Sequence, residues 1–268
     1  MMTPQTLHSQ LLSLVSGYPR AEQPTLWFSS VILGILACKT VYNVMKVVSP
    51  LFPPYTRLSK SQKIEWDNRG FSTAHAIAIS AASAYFVFIS DLFKDDAPYG
   101  PIVFRNSVSS QVVLGISGGY FISDLAMILW FYPNLGGKEY VIHHLLSMLS
   151  LNLSFFNGEG SFYVYMVLLS EVTTPFVNMR WYLSSAGMKK SKAYAINGVL
   201  LFFGWMIARV LLFMYLIIHL YVHFDQVRQL SKGSYYCVLI VPPCLASMNI
   251  VWFFKVAKGM LKTLSKRA

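Results

Sequence analysis

Two adjacent histidines, His143 and His144, sit just inside an otherwise apolar segment that runs on to Phe156. Imidazole is costly in hydrocarbon unless a polar group answers it, so an ionisable pair at that depth marks a functional site. His75, Asp124, Glu171 and Arg209 also fall inside long apolar runs. A ring nitrogen oriented by a carboxylate is the combination used for general-base and nucleophilic chemistry. Spacing adds to this. Ser117, Tyr120 and Asp124 stand at i, i+3 and i+7, as do Glu171, Thr174 and Asn178, so each run carries one polar stripe on a helix face. Such stripes face a bundle interior or a wet cavity, because lipid cannot satisfy them. The expectation is that His143, His144, Glu171 and Asp124 carry the chemistry, with His75, Tyr120, Thr174, Asn178 and Arg209 lining the site. Neighbouring helical residues point about 100° apart, so one histidine acts while the other braces.

Plainer readings stand beside these. Arg209 with Glu171 or Asp124 makes a structural ion pair, and a membrane histidine also serves as an interhelical hydrogen-bonder. Pro175 removes the hydrogen bond to the carbonyl of Glu171, so a kink and a free acceptor are expected at the acid. His219 and His223 have metal-ligand spacing but lack the intervening Glu of a zinc-protease motif, so an interfacial polar cap is expected, and no metal. Cys38, Cys237 and Cys244 all lie in apolar runs, away from any loop pair for a disulfide. The chain shows no Gly-rich phosphate loop, nucleophile-elbow serine or CxxC pair.

The elements that must position these groups are membrane spans. With 55% hydrophobic and 12% charged residues in 268, and a mean hydropathy of +0.49, the chain is too apolar for one soluble domain. Its apolar runs of about 20 residues each are span-length. The predicted class is an all-α polytopic membrane protein with about seven transmembrane helices, near 26–48, 72–93, 107–132, 139–156, 161–182, 194–222 and 234–255. Ser59 and Gln62 form a capping-box spacing that predicts a short interfacial helix before the second span. Pro242-Pro243 is expected to interrupt the seventh.

Residues 57–69, 138, 180–192 and 255–267 hold fourteen lysines and arginines, against five at Arg20, Lys94, Arg105, Arg228 and Lys232. By the positive-inside rule the C-terminus is cytosolic and the N-terminus lumenal. The net charge of +11 thus follows membrane topology, and no nucleic-acid partner is expected. Residues 1–18 have no basic group before a short apolar patch, a poor cleavable signal.

From Leu58 onward the chain resembles the TLC domain, the six-span family that includes ceramide synthases. The residues that carry the resemblance are Glu65-Trp66-Asp67-Asn68-Arg69, Gly119-Tyr120-Phe121-Ile122-Ser123-Asp124, the His143-His144 pair, and the stretch from Ser170 to Tyr182. It is similar in particular to TLC-domain-containing protein 4-type sequences. The resemblance implies four parts: a lumenal segment 1–25, a first helix and linker 26–57, a six-helix TLC domain 58–262, and a cytosolic tail 263–268. In ceramide synthases the histidine pair accompanies a fifth-span His-Asp with a second Asp three residues on. Here those positions read Ser170, Glu171 and Thr174.

The implied function is lipid homeostasis, by binding or sensing a lipid or acyl chain in an intramembrane cavity open to the cytosolic leaflet. The alternative is acyl transfer from acyl-CoA to a lipid amine or hydroxyl. In that reading His143 or His144 is base or acyl acceptor, Asn178 holds the oxyanion, and Arg180, Lys189, Lys190 and Lys192 hold CoA phosphates. Membrane lipids are the expected partners, acyl-CoA the possible co-substrate, and no resident cofactor is expected. A di-iron hydroxylase would need several histidine boxes, and the chain has only six histidines. The tail offers Lys266 where a dilysine retrieval signal needs two, so endoplasmic reticulum is expected from the resemblance.

Overall fold

The computed structural model describes residues 24–94 and 100–265. Most of the expected lumenal segment and the last residues of the tail lie outside the described residues. The described chain is all-α. It comprises α1 (Pro24–Val48), α2 (Lys60–Ala84), α3 (Val108–Trp130) and α4 (Lys138–Asn157), then α5 (Ser161–Leu169) and α6 (Thr174–Ser185), α7 (Lys192–Trp205) and α8 (Leu212–Val222), and α9 (Lys232–Ser265). The pairs α5–α6 and α7–α8 are single rods, joined by a 3-10 turn at Ser170–Thr173 and a π-helical turn at Met206–Leu211. Seven rods result, and the chain is a polytopic membrane protein.

Among the described residues, five rods are long and apolar enough to cross a membrane: Pro24–Leu51, Lys60–Ile89, Val108–Trp130, Lys192–Val222 and Lys232–Thr263. The other two, α4 and α5–α6, carry the histidine pair and the Glu171 stripe, and that polar content lowers their hydropathy.

Two sequence expectations change. The capping box at Ser59 and Gln62 is formed, with both reciprocal bonds present, but it starts α2 itself instead of a separate interfacial helix. Once capped, the polar turns over residues 60–70 have no helix breaker to end them, and they continue into the second span. Similarly, α9 runs through Pro242 and Pro243 without interruption, for 34 residues. Consecutive prolines forfeit only the two bonds to the carbonyls of Val238 and Leu239, and the turns on either side are secured by packing against α4 and α7.

The loops are pinned by specific groups. Gly158 and Gly160, at φ 67° and 69°, close the α4–α5 hairpin in a conformation that side chains with a Cβ adopt poorly. The Gly160 N–H donates to the Val103 carbonyl at 2.7 Å, and Asn106 Nδ2 donates to the Gly158 carbonyl at 2.8 Å. On the linker after α1, Ser49 and the Tyr55 hydroxyl donate to Asp67 at 2.9 and 3.0 Å. Burial and then the Asp67 bond push the Tyr55 phenol up to about 12, so it remains a donor.

α1 packs chiefly on α3. The contact is backbone to backbone: a Cβ on Gly34 would strike the Ile116 carbonyl, and one on Gly119 would strike the Val31 carbonyl. The remaining six rods surround a central cavity, and α1 contributes nothing to its wall.

Candidate functional site

The cavity has a volume of about 510 Å3, within the roughly 300–1,000 Å3 common for small-molecule sites. Its walls carry Phe121, Ile128, Leu135, Val177, Leu201 and Trp252, and its rim Glu65, Arg69, Tyr140, Arg180 and Lys255. The buried groups Asn68, Asp124, His144, Glu171, Asn178 and Arg209 make the floor.

Apart from Asn178, the floor is two hydrogen-bonded sets. In the first, Asp124 of α3 is the acceptor. His144 Nε2 approaches its Oδ2 at 2.8 Å, the Tyr120 hydroxyl donates to the same oxygen at 3.3 Å, and Asn68 Nδ2 of α2 donates to Oδ1 at 3.0 Å. The other ring nitrogen of His144, Nδ1, donates to the Tyr140 carbonyl at 2.8 Å. Both nitrogens of this ring are therefore engaged, one by a backbone carbonyl and one by the Asp124 carboxyl group. His144 has no free lone pair.

The second set is built on the break that precedes Pro175. Glu171 Oε1 accepts from Arg209 Nη2 at 3.2 Å and Oε2 from the Thr174 hydroxyl at 2.7 Å. Arg209 also donates Nε to Thr173 at 2.7 Å and Nη1 to Asn249 at 3.4 Å, with its guanidinium 4.7 Å from the Trp205 ring centre. Proline does break the helix at the acid, but the Glu171 carbonyl is not left free. The 3-10 turn lets the Thr174 N–H take it up, an i to i+3 closure available to a turn that has lost its α-helical partner.

His143 lies on the cavity wall beside Trp252, with ring centres 5.9 Å apart. Its Nδ1 is buried without a hydrogen-bond partner. The structure thus divides the pair as the 100° offset requires: His144 is bonded at both nitrogens and His143 is open to the cavity.

The remaining expected residues are placed unequally. His75 is not on the cavity wall; it stacks on Tyr120 at 3.6 Å and meets Ser117 at 3.3 Å. Asn178 reaches the cavity, but its amide N–H groups go to the Arg69 carbonyl at 3.2 Å and the Thr73 hydroxyl at 2.9 Å, while Oδ1 accepts from Arg69 Nη1 at 2.8 Å. It braces α2 against α6, and an oxyanion role would have to break those bonds. Arg180 is on the rim, whereas Lys189, Lys190 and Lys192 are exposed outside it. His219 and His223 stack at 4.0 Å away from the cavity, and no cluster of three or more metal-binding side chains occurs among the described residues.

Sequence reasoning assigned no site role to Asn68, Arg69, Trp252 or Lys255. A signal existed for two of them: Asn68, Ser72 and His75 continue an i, i+4, i+7 polar stripe, and Glu65 with Arg69 is an i, i+4 pair, closed here at 2.7 Å. Lys255 looked like one more basic residue of the tail.

A family model described as the TLC domain matches residues 65–258. TLC domain-containing protein 4 of Homo sapiens is 32% identical over 222 residues, covering 80% of each chain. TLC domain-containing protein 4-B of Xenopus laevis is 30% identical over 217 residues, again 80% of each. TLC domain-containing protein 4 A of Dictyostelium discoideum is 23% identical across 96% of this chain and 95% of its own. No solved structure matches.

Proposed function

The chain belongs to the TLC domain family, and from that premise we propose that it binds a lipid or acyl chain in the central cavity, as a lipid-homeostasis protein of the endoplasmic reticulum membrane. The observation that carries this is the cavity itself: about 510 Å3, apolar and aromatic along its walls, with a floor whose charges are paired. Asp124, His144, Glu171, Asn178 and Arg209 spend their hydrogen bonds on one another and on neighbouring helices. Such a floor closes the cavity and orients a guest, and it has little unused bonding capacity for chemistry. The positive-inside asymmetry supports a rim of Arg180 and Lys255 in the cytosolic leaflet and a lumenal N-terminus.

A second reading, acyl transfer from acyl-CoA to a lipid amine or hydroxyl, is favoured by His143. Its ring lines the wall and takes no part in the hydrogen bonds of the floor, whereas both nitrogens of His144 are spent. In this reading His143 accepts the proton of the attacking amine or hydroxyl as the new acyl bond forms, the thioester C–S bond breaks, and the same proton passes to the departing CoA thiolate, while the His144–Asp124 pair fixes the helix that presents it.

Purification in detergent, mass spectrometry of co-purifying lipid and an acyl-CoA turnover assay separate the two. Stoichiometric lipid without turnover supports binding alone. Turnover that disappears in His143→Ala with lipid retained supports the transferase. A protein that holds no lipid and turns over no acyl-CoA refutes both.

A further inference from the structure

The ionic pairing within the cavity leaves a remainder. Its wall carries the acids Glu65, Asp124 and Glu171, and each is matched: Glu65 to Arg69 at 2.7 Å, Asp124 to His144 at 2.8 Å, Glu171 to Arg209 at 3.2 Å. Arg180 and Lys255 line the same cavity and pair with no carboxylate among the described residues. Both belong to the rim, on α6 and α9.

The Arg180 guanidinium is held in place with part of its capacity unused. Its plane lies 4.2 Å from the Tyr194 ring centre, and Nη2 donates to the Gly259 carbonyl at 3.3 Å and the Thr263 hydroxyl at 3.1 Å. Nη1 is buried and has no acceptor. A Cβ on Gly198 would come within 2.6 Å of that nitrogen, so the glycine leaves room for the guanidinium on the α7 side. Lys255 stands one helical turn before Gly259 on α9, which brings its ammonium to the face that Arg180 already touches. Nη1 is packed away on the α7 side, so what bears on the mouth is net charge: two cations on one cavity wall that no carboxylate neutralises make the place attractive to an anion.

We infer that Arg180 and Lys255 form an anion subsite at the cavity mouth, and that the guest is an amphiphile with a phosphate group seated there and its chain running inward past Leu201 and Trp252. This rests on the reading of the cavity as a lipid site and narrows it to phosphate-bearing ligands. Two sources present that chemistry, an anionic phospholipid of the leaflet and a long-chain acyl-CoA arriving from water. A zwitterionic phosphatidylcholine carries its own cation and gains less from the pair.

The test is titration of the delipidated full-length protein in detergent, followed by native mass spectrometry. The probes are phosphatidic acid, phosphatidylcholine of the same chains, and palmitoyl-CoA. Wild type is expected to take up phosphatidic acid roughly tenfold more tightly than phosphatidylcholine, as a charge-assisted contact warrants. Arg180→Gln should abolish that preference, and Lys255→Gln, exposed at the rim, should reduce it about two- to threefold. Lys258→Gln, exposed on α9 and off the cavity wall, removes the same charge and should bind as wild type does, which separates the anion contact from a general loss of positive charge. Competition by palmitoyl-CoA that weakens in Arg180→Gln identifies the thioester as the source. Its failure to compete identifies the leaflet phospholipid, and either result supports the subsite. Equal affinity for the two phospholipids, or an Arg180→Gln protein that keeps the preference, overturns the subsite while leaving the cavity a lipid site. Saturable binding of none of the three probes overturns the cavity reading and the subsite with it.

Discussion

Arg209→Met provides a severe and quantitative test of the floor. The side chains of Arg209 and Glu171 are 6% and 11% exposed, so the pair has little solvent to fall back on. Replacing the arginine leaves Glu171 with a single donor, the Thr174 hydroxyl at 2.7 Å, and deprives Thr173 and Asn249 of theirs. Removing one partner of a buried pair costs about 3–5 kcal/mol, most of it the penalty of the charge left behind. For a chain of this size that corresponds to a fall in thermal midpoint on the order of 10 °C. The double variant Glu171→Met, Arg209→Met removes both charges at similar volume and is expected to regain at least half of the loss. A thiol-reactive dye reads the transition directly, because Cys38 and Cys237 are buried and Cys244 supplies a constant exposed background. A single variant within about 3 °C of wild type, or a double variant less stable than the single one, would refute the claim that this pair is a buried, mutually dependent unit.

The same assay checks three further expectations. His143→Ala should shift the midpoint by less than about 3 °C, since no hydrogen bond is lost, whereas His144→Ala leaves Asp124 without its closest partner and should cost roughly 2–4 kcal/mol; the reverse order would contradict the division of the pair. Gly119→Val drives a side chain into the Val31 carbonyl and should destabilise by about 1–3 kcal/mol through overpacking, seen as a lower midpoint with the α1–α3 contact loosened to limited proteolysis. Gly160→Ala, at φ 69°, should cost about 1 kcal/mol, a shift of a few degrees; no shift would mean the hairpin does not need that backbone conformation.

Hydropathy reports depth along a span, and what depends on depth was legible in the sequence. The seven rods follow from apolar runs, and an acid beside a histidine and an acid beside Arg209 follow from which polar groups share a level, but which acid takes which partner does not. What depends on rotation about a helix axis was not. His75 lies at a suitable level yet turns its ring onto Tyr120, and which of His143 and His144 meets Asp124 is decided by how α4 packs on α3. Local rules failed where tertiary packing outweighed them. Pro242-Pro243 is a sequence signal for a break, yet contacts with α4 and α7 keep α9 continuous. Pro175 did mark the irregular turn, but the Glu171 carbonyl found a partner one residue nearer than α-helical spacing provides. Asn68 and Arg69 were visible as members of a motif, and their roles became clear only once α2, α3 and α6 were in contact.

The glycine contact between α1 and α3 bears on where this domain ends. The family match begins at residue 65, so α1 lies outside it, and α1 takes no part in the cavity wall. Yet Gly115 and Gly119 of α3 form a trough floored by bare backbone, and α1 fills it closely enough that a single Cβ would not fit. Lipid tails are a poor substitute for a complementary helix in so narrow a groove. The six-rod unit therefore carries on α3 a narrow seam that α1 closes. A side chain larger than glycine on either face of that seam would drive the two backbones apart, so the fit depends on both faces staying narrow.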